Sequence, residues 1–242
     1  MNGTIVLWGD SIGKGVIYNE TRRRYCLAKD RCTELLARAG LCIENNARMG
    51  QTITEGYEQF LASDMRPGDV AVIEYGGNDC DPDWDAVDED PAAFHDGKTP
   101  IALFRETLRR FIAAARERGI RPVAVIPPPL EAERYYRWIC RGRTPERILS
   151  YLVDVQHIYR WQERYADAVR ETAYALGCAV IDLRTPFLDA RDMPGLICLD
   201  GIHPNEDGQR LIARAVADFL AEGGIVIHPF PDECIDLCAK AG

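Results

Sequence analysis

No apolar run in this chain reaches the roughly 20 residues that a membrane-spanning helix needs. The N-terminus runs from Met1 straight into a strand pattern, without the basic flank and cleavage site of a secretory leader, so a cytoplasmic location is expected. Positive charge is in deficit: 29 Lys and Arg against 38 Asp and Glu leave a net charge of −9 over 242 residues. Such a field repels polyanions, which excludes a general nucleic-acid footprint, and no membrane partner is expected either. Paired C-x-x-C clusters are missing as well. The nine cysteines are odd in number and scattered, which reads as reduced thiols rather than a disulfide framework. Cys234 and Cys238 stand close together, but a lone C-x-x-x-C without further ligands makes no metal site, and free thiols are expected there too. Histidine is scarce, with only His95, His157, His203 and His228.

What is present is ordinary globular composition, 47% hydrophobic and 28% charged. A single domain over 1–242 is expected, its core about 3–222 and a tail over 223–242. The chain is organised around the end of its first strand, Thr4-Ile5-Val6-Leu7-Trp8-Gly9-Asp10-Ser11. A β-branched apolar run that stops abruptly at glycine, aspartate and serine delivers a side chain into a cleft, and Ser11 is the candidate nucleophile. Two other readings fail on spacing. A P-loop needs four residues between its glycine and the Gly-Lys pair, and Gly9 to Gly13-Lys14 leaves three. A dinucleotide fingerprint needs a third glycine where Tyr18 stands. A strand-to-helix turn capped by Asp10 or Ser11 remains the plain structural alternative.

Further strands are expected over 41–45, 70–75, 123–126 and 178–183, each followed by helical spacing of apolar residues. A polar loop containing Arg22-Arg23-Arg24 should follow Gly15, with an anion-binding patch as its functional alternative, and then a helix over 26–39. Thr52 or Thr54 should open the next helix, and Thr99-Pro100 a long one. Residues 81–97 carry seven acidic residues and read as a long solvated loop or substrate lid, because neither frame supplies the glycine and glutamate of an EF-hand. Residues 130–144, rich in Tyr, Trp and Arg, suit either a pocket mouth or a helix covering the sheet edge.

Five strands alternating with amphipathic helices predict a parallel sheet covered on both faces, with ligands beyond the carboxyl ends of its strands. Ser11, Gly50 and Asn78 each follow one of the first three strands and should meet at that rim. Asp200-Gly201-Ile202-His203 precedes the last helix, and an imidazole three residues after a carboxylate suits a base with a fixed tautomer. His157 and His228 are read as structural.

Gly9-Asp10-Ser11-Ile12, Gly50, Gly76-Gly77-Asn78-Asp79 and Asp200-Gly201-Ile202-His203 follow one another in the order of the SGNH hydrolase blocks. The chain therefore resembles the SGNH hydrolases, the GDSL-type lipases and esterases, with Ile12 in place of the usual leucine. The resemblance implies a flavodoxin-like three-layer α/β/α sandwich with a parallel sheet of about five strands. It implies that Ser11 attacks an ester carbonyl while His203 takes the proton and Asp200 orients His203. Ser11 and Gly50 backbone N–H groups and the Asn78 amide would form the oxyanion hole, and Asp10, Asp79 and Ile202 would lie beside substrate. No metal or organic cofactor is required. The expected partner is a small-molecule ester, such as a carbohydrate O-acetyl ester, a lipid-like ester or a thioester. A non-catalytic module binding a sugar or nucleotide in the same cleft is the alternative from another class, and acyl transfer would use the same residues.

Overall fold

A computed structural model describes residues 3–223; Cys234, Cys238, His228 and the tail from 224 onward lie outside the described residues. The strands are β1 (Ile5–Gly9), β2 (Val16–Asn19), β3 (Arg24–Leu27), β4 (Ile43–Asn45), β5 (Val70–Glu74), β6 (Arg121–Ile126) and β7 (Ala179–Asp182). Five of them form one parallel sheet in the order β4-β1-β5-β6-β7. Counting only these five, the order is 2-1-3-4-5, which is flavodoxin-like, with the direction of winding reversing beside β1. Register places Gly9 against Glu74, so the chain leaves β1 and β5 at the same height. The residues following them, Ser11 and Asn78, are thereby brought to one rim.

Alternation along β1 divides the core. Val6 and Trp8 face the helices Ile53–Leu61, Ile101–Glu117 and His157–Ala175, while Ile5 and Leu7 face Cys32–Arg38 and Glu206–Ala221. Parallel strands buried on both faces are near-continuous apolar runs, and β1 and β5 are buried throughout, with Glu74 at the end of β5 the one charged residue in them. A third cluster joins Trp84, Tyr135, Ile139, Ile148 and Leu152 from three short helices, Trp84–Glu89, Ala132–Ile139 and Pro145–Leu152. Polar contacts tie this cap together. Arg143 Nε meets Asp85 at 2.8 Å, Thr144 N–H donates to Asp88, and Arg147 donates to the Asp88 and Glu89 carbonyls.

Several local expectations need correction. Residues 16–27 are not a solvated loop: β2 and β3 pair as an antiparallel hairpin, with Tyr18 opposite Tyr25. Two short runs of β-branched and aromatic residues flank the polar turn, and their pairing outweighs the charge of Arg22-Arg23-Arg24. The next helix accordingly begins at Cys32, since Cys26 and Leu27 belong to β3. The acidic stretch 81–97 holds the helix Trp84–Glu89, capped by the Asp83 carboxylate, which accepts from the N–H groups of Asp85 and Ala86. Pro100, not Thr99, stands at the cap position of the long helix, and Thr99 is buried. Cys26, Cys42, Cys80, Cys140, Cys178 and Cys198 are free thiols. No helix among the described residues is long and apolar enough to cross a membrane.

Candidate active site

Ser11 opens a one-turn helix, Ser11–Lys14, directly after β1. Asp10 caps that turn through Oδ1, which accepts from Ile12 N–H at 2.8 Å. On the loop before the last helix, Asp200 Oδ1 accepts the backbone N–H groups of Ile202 and His203, each at 3.1 Å. The turn requires glycine at 201, where φ is +81° and a Cβ would stand 2.3 Å from Tyr135 N. This local folding aims the imidazole. His203 Nδ1 lies 2.6 Å from Asp200 Oδ2, and His203 Nε2 lies 2.8 Å from Ser11 Oγ. An ionised carboxylate only accepts, so Nδ1 carries the proton and Nε2 is left to accept from the Ser11 hydroxyl. Burial opposes ionisation of Asp200, but the hydrogen bonds and charge it shares with His203 outweigh that and hold its carboxyl below the ordinary range. All three side chains are buried.

The other candidates separate into two groups. Asn78, Asp10 and Ile202 line the cavity of about 80 Å³ that opens beside Ser11 and His203. Asn78 Nδ2 donates to Asp10 Oδ2 at 3.2 Å and to the Gln51 carbonyl at 3.3 Å. Gly50 and Asp79 do not line that cavity. Gly50 is exposed at φ +79° with open space where its Cβ would be, so conformation and not close contact demands glycine there. Its chain neighbour Gln51 supplies the carbonyl that Asn78 touches. Asp79, expected beside substrate, is fully buried, and its two oxygens accept from the backbone N–H groups of Ile53 and Gly76. Loop anchoring therefore occupies it.

Two residues near the site were not singled out by sequence. Glu74, the last residue of β5, is buried, and its Oε2 accepts from the N–H groups of Asp10 at 3.2 Å and Gly13 at 3.1 Å, holding the turn that carries Ser11. A charged residue ending an otherwise apolar strand is the one sequence signal that marks it. Burial and then the neighbouring Asp10 charge push its carboxyl well above the ordinary range. Tyr25 on the hairpin sets its ring 5.2 Å from that of His203. Burial and then Asp200 push its phenol up, so it stays neutral. Tyr25→Ala, which removes the ring packed against His203, should lower kcat/KM for an ester substrate about threefold to tenfold. An unchanged rate would remove Tyr25 from the site.

Asp79 gives a stability prediction. Burial pushes its carboxyl up to about 7 from an ordinary value of 3.8. Between those values the unfolded chain ionises freely while the native state keeps the proton, so the stability present below the lower value is lost as pH rises through the higher. Burial raises Asp10 and Glu74 in the same direction. The urea midpoint is expected to be lower at pH 8 than at pH 5, with a shallower slope in Asp79→Asn; a midpoint that rises across this window would contradict the assignment.

The GDSL-like lipase/acylhydrolase family model matches residues 7–211, which contain Ser11, Asn78, Asp200 and His203. The chain belongs to that family. It is an esterase of the SGNH type, built on the fold of other GDSL-family structures. A lipase/acylhydrolase from Enterococcus faecalis is 19% identical, with 91% of this chain and 96% of that one aligned at a TM-score of 0.59. A member of the G-D-S-L lipolytic family from Veillonella parvula is 15% identical over 90% and 98% of the two chains, with a TM-score of 0.60. An acetylxylan esterase from Geobacillus stearothermophilus is 15% identical over 93% and 98%, with a TM-score of 0.59. At these identities the structures speak for the GDSL fold alone. Among curated proteins, none matches the sequence significantly. Among the described residues, no group of three or more His, Cys, Asp or Glu is placed to hold a metal ion in this GDSL-family chain.

Proposed function

We propose that this GDSL-family esterase cleaves a small carboxylic ester through an acyl-enzyme on Ser11. The observation that carries the reading is the continuous chain Ser11 Oγ, His203 Nε2, His203 Nδ1 and Asp200 Oδ2, with separations of 2.8 and 2.6 Å. A serine hydroxyl at its free pKa is a weak nucleophile, and a base in contact with it removes that limit. As Ser11 Oγ bonds to the carbonyl carbon, its proton passes to His203 Nε2, and the imidazolium is stabilised by Asp200. The carbonyl oxygen becomes an oxyanion, held by the Ser11 N–H and the Asn78 amide, the two expected donors whose residues line the cavity. The Asn78 contacts at 3.2 and 3.3 Å are long for amide donors, so turning one N–H toward the oxyanion gives up little. His203 then returns its proton to the departing alcohol oxygen, and water repeats the sequence on the acyl-enzyme, releasing the acid and free Ser11.

The free thiols suit a reducing compartment, and we place the protein in the cytoplasm. A fluorophosphonate probe should attach to Ser11, fluoride leaving as the Oγ–P bond forms, at the rate p-nitrophenyl ester hydrolysis is lost. Labelling mapped elsewhere, or thermal stabilisation by sugars or nucleotides with no labelling, would favour the non-catalytic binding module instead.

A further inference from the structure

The cavity beside Ser11 runs beneath the helical cap, whose Trp84, Leu130, Leu152 and Ile158 form its walls. The cap is a built element with its own apolar core and the Arg143, Thr144 and Arg147 contacts described above, so the space beneath it is a fixed pocket. Most polar groups in the wall are already spent. Asp81 Oδ1 accepts from Trp84 Nε1 and from the Tyr135 hydroxyl, each at 2.7 Å. The Tyr151 hydroxyl donates to the His95 carbonyl at 2.6 Å, and Gln162 is held by the Pro128 carbonyl and by Arg184, each at 2.9 Å. His157 packs its ring against Trp161, whose Nε1–H has no hydrogen-bond partner among the described residues. A sugar ring would bring several hydroxyls into this space and leave most of them unpaired, whereas an aliphatic chain loses nothing.

Building on the proposed acyl-enzyme, we infer that the pocket receives the acyl group and selects a chain of medium length over acetyl. At about 10–15 Å³ of such space per water-sized group, a cavity of 80 Å³ corresponds to roughly five to eight non-hydrogen atoms, which with the carbonyl oxygen among them is an acyl group of about four to seven carbons. The alcohol side is placed toward His203, which must reach the leaving oxygen, and carries little of the selectivity.

The test is kcat/KM across p-nitrophenyl acetate, butanoate, hexanoate, octanoate and dodecanoate, alongside alkyl acetates in which only the alcohol lengthens. Each methylene entering the pocket is worth up to about fourfold, so hexanoate should exceed acetate by about tenfold to a hundredfold, and dodecanoate should fall again. Leu152→Trp, which fills the pocket, should move the optimum to acetate. Competitive inhibition of the unaltered protein by free acetate, hexanoate and dodecanoate should follow the same order, a readout that survives if the variant fails to fold. An acetate optimum or a flat acyl series, with Ser11 still labelled by fluorophosphonate, would overturn the inference and leave the esterase reading standing. Selectivity for alkyl acetates alone would also overturn it. No turnover of any ester together with no labelling would sink both.

Discussion

Ser11→Ala is expected to lower kcat/KM for p-nitrophenyl esters by about 10⁴- to 10⁶-fold, to the level of uncatalysed hydrolysis aided only by binding. The alanine removes the one atom that bonds to the acyl carbon, and the His203 base is left without a proton to take. Folding should be nearly unaffected, because among the described residues the Ser11 hydroxyl hydrogen-bonds only to His203 and the turn is held by Asp10 and Glu74. Circular dichroism melts of the two proteins should therefore overlay while the rates separate. A variant that keeps a tenth of the activity would mean that another group attacks the ester.

Asp200→Asn should cost about 10⁴-fold in kcat at neutral pH with the fold intact. The amide is the same size, and its oxygen retains the N–H groups of Ile202 and His203 that now bond to Oδ1. Its NH2 group would face His203 Nδ1, which must then accept, so the ring proton moves to Nε2. That nitrogen donates toward Ser11 Oγ and stops being a base. Burial of both partners keeps water from restoring the lost tautomer. A loss of less than tenfold would show that Asp200 only holds the loop, and kcat measured beside a thermal midpoint separates the two roles.

Much of this arrangement is legible in the sequence for a physical reason. Strands buried on both faces need apolar residues at nearly every position, so β1, β5 and β6 stand out as apolar runs, β1 stopping at Gly9-Asp10-Ser11, β5 at Glu74 and β6 at three prolines. The short spacing from Asp200 to His203 is local, so the carboxylate and imidazole meet within a single turn. Contacts set by distant packing are harder to read. Tyr25 reaches His203 across 178 positions because β2 and β3 fold back over the rim, and the Arg22-Arg23-Arg24 turn disguises the pairing of two four-residue strands. Glu74 looks like the polar end of a strand until its register with Gly9 sets it beneath the Ser11 turn. Asp79 shows the reverse. Adjacent to Asn78 in a recognisable motif, it points away from the cavity because a helix start at Ile53 and the turn at Gly76 both need its oxygens.

The most direct measurement is a crystal structure of the fluorophosphonate adduct. A bond from phosphorus to Ser11 Oγ is predicted, with the phosphoryl oxygen within hydrogen-bonding distance of Ser11 N and Asn78 Nδ2 and His203 Nε2 facing the leaving-group position. Phosphorus on any other side chain, or a phosphoryl oxygen turned away from Asn78 with His203 drawn off Ser11, would contradict it.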